Sequence, residues 1–322
     1  MPVPVHQALL NGITCIDTGY CRPAMAACYL MEHNGQAAFV DTGTTHTVPR
    51  LLALLNHKNI APQDVAYVMP THVHLDHAGG AGELMHHLPN ARLVVHPRGA
   101  KHLVDPGKLT AGATAVYGEA AFKANFGELR PVPKERVILA DDGLELDLNG
   151  RRLLFLDTPG HARHHYSIFD ETSQAFFTGD IFGLSYRQCD GPSGAFVFPT
   201  TTPVQFDPQA WHRSLDLLMS YRPERIFLTH YGMVTGVETL AKDLHRRIDQ
   251  LADIATASVK VAASADWRRR IAESIGQFLI KELAVAGAPL SPDEALALFR
   301  LDIDLNAQGL EIWLTRKQAS RQ

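Results

Sequence analysis

The sequence predicts a layered α/β protein with a C-terminal helical appendage, and three observations predict it. Short apolar runs recur between residues 28 and 228, and each feeds a polar loop. Helical periodicity fills several of the intervals between them. Beyond about residue 240 the strand signals stop and helical ones take over. The expected division is a main body over 1–240 and a helical segment over 241–322, docked without an obvious flexible linker.

Residues 28–31 (CYLM) and 37–40 (AAFV) flank Asn34-Gly35, the turn pair that supplies positive φ at both central positions, so they read as a β-hairpin ending in Asp41-Thr42-Gly43. Residues 49–55 are helical, and Val65–Met69 is a short buried-strand run that delivers the chain into THVHLDHAGG. Another strand follows at 93–95. Residues 97–135 then change character, with Gly, Ala, scattered Lys, and Phe122 and Phe126 one helical turn apart, the marks of a helical lid or insertion. In the second half, 153–156 leads to DTPGH, 175–178 to Gly179-Asp180, and Arg225–Leu228 to THYG. Residues 166–169 pair with 175–178 across the polar turn 170–173, and Trp211, Leu215 and Leu218 repeat at helical spacing. Further on, 267–284 reads as a helix. Ser291-Pro292-Asp293-Glu294 is a capping box with proline at the first helical position, starting a helix through Phe299.

The mixture of 46% apolar and 20% charged residues is that of an ordinary globular chain and argues against disordered, collagen-like and coiled-coil classes. No apolar run approaches the roughly 18 residues a membrane span needs. A net charge of −4 without a long basic block removes the usual footprint for nucleic acid or anionic lipid. The expected partner is a small-molecule substrate, with the helical segment available for a homodimer. Residues 1–7 (MPVPVHQ) lack a basic region followed by an apolar stretch, and Cys15, Cys21, Cys28 and Cys189 are too sparse for a disulfide framework, so a cytoplasmic protein with free thiols is expected.

Histidine is the compositional oddity, at 17 copies against 34 acidic residues. His72, His74, Asp76 and His77 form an H-x-H-x-D-H run, which the chain's own composition produces by chance at a rate on the order of a few in a thousand. In an extended segment, residues two apart share a side, so His72 and His74 face one ion while the turning chain offers Asp76 and His77 to a neighbouring point. Imidazole and carboxylate ligands suit Zn or non-haem Fe. His72, His161, Asp180 and His230 each follow the end of a short strand, so a shared sheet system brings them to one rim. An allotment using all seven gives His72, His74 and His161 to a first metal and Asp76, His77 and His230 to a second, with Asp180 bridging.

Asp41-Thr42-Gly43, THVHLDHAGG (71–80), Pro159-Gly160-His161, Thr178-Gly179-Asp180 and Thr229-His230-Tyr231-Gly232 occur in an order that resembles the metallo-β-lactamase superfamily, closest to its glyoxalase II-like hydrolases. The resemblance implies a four-layer αββα sandwich with a binuclear site at one edge, two divalent ions (Zn first, Fe as the alternative), and hydrolysis of a small ester, thioester or lactone by water activated on the ions. Asp76 then both ligates and orients or receives the proton, which makes it the expected catalytic residue. Asp180 stands where many β-lactamases of this fold carry cysteine, and His74 where flavodiiron oxygen reductases carry glutamate, so neither branch is expected. A phosphoester or phosphodiester hydrolase, a mononuclear iron dioxygenase of the persulfide type, and a weakly active regulatory protein on the same scaffold are the alternatives.

His164 and His165 are expected to be structural or to support the ligands. Residues 183–207 lack a period and are rich in aromatic, Gly, Pro and Thr residues, as a loop walling a pocket would be. The substrate contacts expected there and nearby are Tyr186, Arg187, Phe196, Phe198 and Tyr231. The competing reading is a loop that packs the helical appendage.

Overall fold

The computed structural model describes residues 3–201, 204–261 and 266–319. Two compact units emerge, and neither is a single stretch of chain. Unit 1 takes the residues up to Asp157 together with His164–Gly179 and Ile226–Met233; unit 2 takes Thr158–Arg163, Asp180–Arg225 and the chain from Val234 onward. The sequence boundary at 240/241 therefore coincides with no boundary between the compact units.

Unit 1 contains two sheets. The first runs β1 (His6–Ala8), β2 (Ile13–Asp17), β3 (Ala27–His33), β4 (Gln36–Val40), β5 (Val65–Met69), β6 (Arg92–Val95), β7 (Val137–Leu139) in spatial order, antiparallel from β1 to β4 and parallel from β4 to β7. The second is ordered β13-β12-β11-β10-β9-β8, from β8 (Glu145–Leu148), β9 (Arg151–Asp157), β10 (Tyr166–Asp170), β11 (Ala175–Phe177), β12 (Arg225–Leu228) and β13 (Gly232–Val234), of which Arg225 and Val234 fall in unit 2.

Strand periodicity explains the layering. On β4, Ala37 and Phe39 point to one core and Ala38 and Val40 to the other, because successive side chains face opposite sides of a strand. The Phe39 side packs on the helices α1 (Val48–His57) and α3 (Ala81–His87) through Leu51, Leu54, Leu84 and Met85. The other side meets Leu153, Phe155, Ile168 and Phe177 of the second sheet. Between β5 and β6 the chain also makes the short helix α2 (Leu75–Ala78) ahead of α3. The expected turn at Asn34-Gly35 is present, with φ of 44° and 80°, and sets the register His33↔Gln36. The expected pairing of β10 with β11 is antiparallel across Asp170↔Ala175. The stretch 97–135 is helical as anticipated as far as Phe126, as α4 (Pro97–Val104), α5 (Gly107–Tyr117) and α6 (Glu119–Phe126), and irregular from 127 to 133.

Unit 2 is helical: α7 (Pro208–Ser220), α8 (Val237–Val261), α9 (Trp267–Ala286), α10 (Pro292–Leu298) and α11 (Arg300–Ala319). Asp207 caps α7 by accepting from the Ala210 N–H at 3.0 Å, and Trp211, Leu215 and Leu218 are its buried stripe. The capping box at Ser291 and Glu294 is formed, with Pro292 opening the helix. Two mixed sheets with helices, followed by C-terminal helices, are the α/β sandwich with a helical appendage that the sequence predicts. Among the described residues no helix is long and apolar enough to cross a membrane.

Candidate metal centre

The H-x-H-x-D-H run begins where β5 ends. His74 is extended (φ −67°, ψ 151°) and caps α2, so His72 and His74 precede the helix while Asp76 and His77 lie on it, the change of direction expected from the spacing. Leu75 anchors the loop, packing with Phe122 and Phe126 of α6. The glycines that follow permit close approach: a Cβ on Gly80 would stand 2.7 Å from the Thr44 carbonyl oxygen and 2.9 Å from that of Thr42. The Asp-Thr-Gly turn at the end of β4 is thereby stitched to the loop, with Thr42 N–H donating to the His77 carbonyl at 2.7 Å and Gly80 N–H to that of Gly43 at 2.8 Å.

Five of the seven expected ligands gather in unit 1. His72 Nε2 lies 2.7 Å from His74 Nδ1. Asp76 Oδ2 lies 3.7 Å from His77 Nε2 and 3.4 Å from His230 Nε2, and the donor atoms of these three residues form a group able to hold an ion. His72, His77 and His230 are buried, whereas the Asp76 side chain is 24% exposed and faces solvent in part. The other two, His161 and Asp180, belong to unit 2 and meet there, Nε2 to Oδ2 at 3.2 Å.

The donor chemistry fits metal ions. His77 Nδ1–H donates to Asp41 at 2.9 Å, His230 Nδ1–H to the Met25 carbonyl at 2.8 Å, and His161 Nδ1–H to the Thr200 carbonyl at 2.8 Å. Each anchor fixes the tautomer whose Nε2 lone pair turns toward a carboxylate ligand, the arrangement in which protein histidines bind metals.

Asp41 carries more of this arrangement than a turn residue would. Its Oδ1 accepts from Thr71 N–H at 2.7 Å and Thr71 Oγ1 at 3.0 Å, and its Oδ2 accepts from His77 and from Thr229 Oγ1 at 2.6 Å. It sits at φ 56°, a conformation uncommon outside glycine. Burial, and after it the Asp41 carboxylate, pushes the Cys28 thiol and the Tyr166 phenol up, so both stay protonated at neutral pH. The sequence signal for Asp41 was its place at the end of a buried strand; that it ties three ligand-bearing positions together was not legible. His164 and His165 are buried; the His164 ring stacks near His72 at 6.2 Å, and its Nδ1 accepts from Val73 N–H at 3.4 Å.

The expected substrate contacts on the loop are placed differently. Tyr186, Phe196 and Phe198 are at most 2% exposed, inside unit 2. Tyr186 Oη donates to Asp302 at 3.1 Å and its ring meets Phe299; Phe198 packs against Phe278 and Phe299; Phe196 lies under the Arg247 guanidinium at 4.3 Å. Thr201 is held by Asn306. The loop packs the helical segment, which is the competing reading, because aromatic side chains bury more area against helices than at a solvated rim. Arg187 bends back to the Ser185 carbonyl at 2.7 Å and to Asp190 at 3.3 Å. Tyr231 packs on the inter-sheet core. Thr202 and Pro203 of this stretch lie outside the described residues.

The family model for the metallo-beta-lactamase superfamily matches residues 21–230. A metallo-beta-lactamase fold-containing protein of Sulfurisphaera tokodaii, ST1585, is 28% identical over 217 residues, 66% of this chain and 75% of its own length. The acyl-coenzyme A thioesterase MBLAC2 of Homo sapiens is 25% identical over 189 residues, 55% of this chain and 65% of its own length. The crystal structure of ST1585, there named from Sulfolobus tokodaii, aligns with a TM-score of 0.65 at 23% identity, covering 94% of this chain and 99% of that one. With the family model spanning well over half of the sequence, the chain belongs to the metallo-beta-lactamase superfamily.

Proposed function

We propose that the chain is a binuclear metal-dependent hydrolase of small thioesters, esters or lactones. The observation that carries this reading is the grouping of Asp76, His77 and His230, with His72 and His74 on the same loop and the ring nitrogens oriented by Asp41 and Met25. In this reading His72, His74 and His161 would hold one ion and Asp76, His77 and His230 the second, with Asp180 shared between them. When bound, the ions would make water acidic enough to supply hydroxide near neutral pH and would polarise the oxygen that gains charge. The protein's part is positional. His77 and His230 keep their Nε2 lone pairs directed inward, and Asp76, the partly exposed member, orients the attacking water at its carboxylate and receives its proton. The similarity to a thioesterase supports a thioester as the first substrate to try.

The test is a panel of acyl thioesters, esters, lactones and phosphodiesters on protein of known metal content, Zn against Fe. The expected outcome is thioester or ester hydrolysis that chelation abolishes and metal restores, and that Asp180→Ala reduces at least 100-fold together with the loss of both ions. Oxygen consumption with a persulfide substrate and no hydrolysis would replace this reading with the mononuclear oxygenase. Turnover of phosphodiesters alone would replace the acyl substrate class.

A further inference from the structure

His212 and Asp216 stand one helical turn apart on α7, and His245 and Asp249 repeat that spacing on α8. The two helices bring these four side chains into one row within unit 2. His212 Nδ1 lies 2.6 Å from His245 Nδ1, with the rings within 6° of a common plane and their centroids 4.9 Å apart. His212 Nε2 is 2.9 Å from Asp249 Oδ1, and His245 Nε2 is 3.4 Å from Asp216 Oδ1. The imidazoles are about a quarter exposed and the carboxylates about three quarters, so the row is open to ions from solvent.

Counting protons shows what the row needs. Each Nε2 requires a hydrogen to face its carboxylate, and one Nδ1 requires a hydrogen to face the other, which puts three protons on two rings and makes one ring a cation. Burial, and after it the neighbouring His212, pulls His245 below the ordinary imidazole range, so this ring holds the extra proton poorly near neutral pH. A cation where the two Nδ1 atoms meet would supply the same positive charge, and imidazole nitrogen is a donor that divalent first-row transition metals take.

We propose that His212 and His245, their Nε2–H groups held by Asp249 and Asp216, bind a divalent transition-metal ion through their facing Nδ1 atoms, zinc being the best match, and that the ion staples α7 to α8 and is distinct from those at His72 to His77. Nitrogens bound at about 2.0–2.1 Å to one tetrahedral ion stand about 3.3 Å apart. The rings must therefore part by about 0.7 Å and tilt so that their facing Nδ1 lone pairs meet at one point, a movement open to side chains with one face in solvent; Asp249 and Asp216 keep the Nε2–H groups, and water completes the shell.

The experiment compares full-length wild type, His245→Gln, and Asp216→Asn combined with Asp249→Asn, each equilibrated with zinc buffered at micromolar free concentration. Ions per chain are then counted by elemental analysis. Wild type is expected to hold one ion more than either variant, and zinc to raise its Tm by about 3 °C more than theirs. Hydrolytic rates stay equal in all three. Because the readout is a difference in metal count, it stands or falls independently of whether the chain is a hydrolase. Equal counts and equal zinc-dependent Tm shifts in all three proteins overturn the proposal. A stabilisation by the histidine pair that appears on acidification and ignores zinc also overturns it, since that is the behaviour of a shared proton alone.

Discussion

Asp41 accepts hydrogen bonds from the residues that precede two ligands, Thr71 before His72 and Thr229 before His230, and faces the ring of a third, His77. It is a positioning residue that touches no substrate in the proposed reading. Asp41→Asn keeps the volume but turns one acceptor into a donor, which opposes Thr71 N–H in place of Oδ1, or both His77 Nδ1–H and Thr229 Oγ1–H in place of Oδ2. Metal affinity is expected to fall about 10- to 100-fold, measured by competition with a chromophoric chelator. An unchanged affinity with a lowered Tm would reduce Asp41 to a structural turn. The H-x-H-x-D-H run was legible because both its spacing and its residue types are constrained by chemistry. The anchors of the ligands were not: Met25 and Thr200 contribute backbone carbonyls, which leave no trace in a sequence.

At the scale of elements, strands and caps were the readable part. The hairpin at Asn34-Gly35 and the capping box at Ser291 depend on local rules, and both formed as predicted. The aromatic content of the stretch 183–207 fits both a pocket wall and a core, and the difference lies in long-range partners such as Phe278, Phe299 and Asp302. These placements set a contrast between two aromatics. Phe198→Ala should cost about 3–5 kcal/mol of stability, visible in chemical denaturation, and leave the ranking of acyl substrates unchanged. Phe122→Ala, which removes packing from Leu75 between His74 and Asp76, should alter that ranking across acyl chain lengths. The reverse pattern would return the loop to the pocket and remove α6 from it.

At the scale of the whole molecule, a catalytic domain of 1–240 and a helical segment of 241–322 remain a proposal about how the protein is organised, and the compact units give it a physical test. Residues 180–225 share unit 2 with the C-terminal helices. Truncation after residue 240 strips Tyr186, Phe196 and Phe198 of Asp302, Arg247, Phe278 and Phe299 and leaves Thr201 without Asn306. The truncated chain is expected to aggregate or to lose cooperative thermal unfolding. A soluble, cooperative 1–240 fragment would show instead that the helical segment is an independent addition. The central claim is that seven side chains drawn from separated motifs hold two ions. Anomalous diffraction at the metal absorption edge tests this most directly. The account predicts two peaks about 3.5–4 Å apart, one at His72, His74 and His161 and one at Asp76, His77 and His230, with Asp180 between them; a single peak with solvent in place of Asp180, or no peak at these residues, would contradict it.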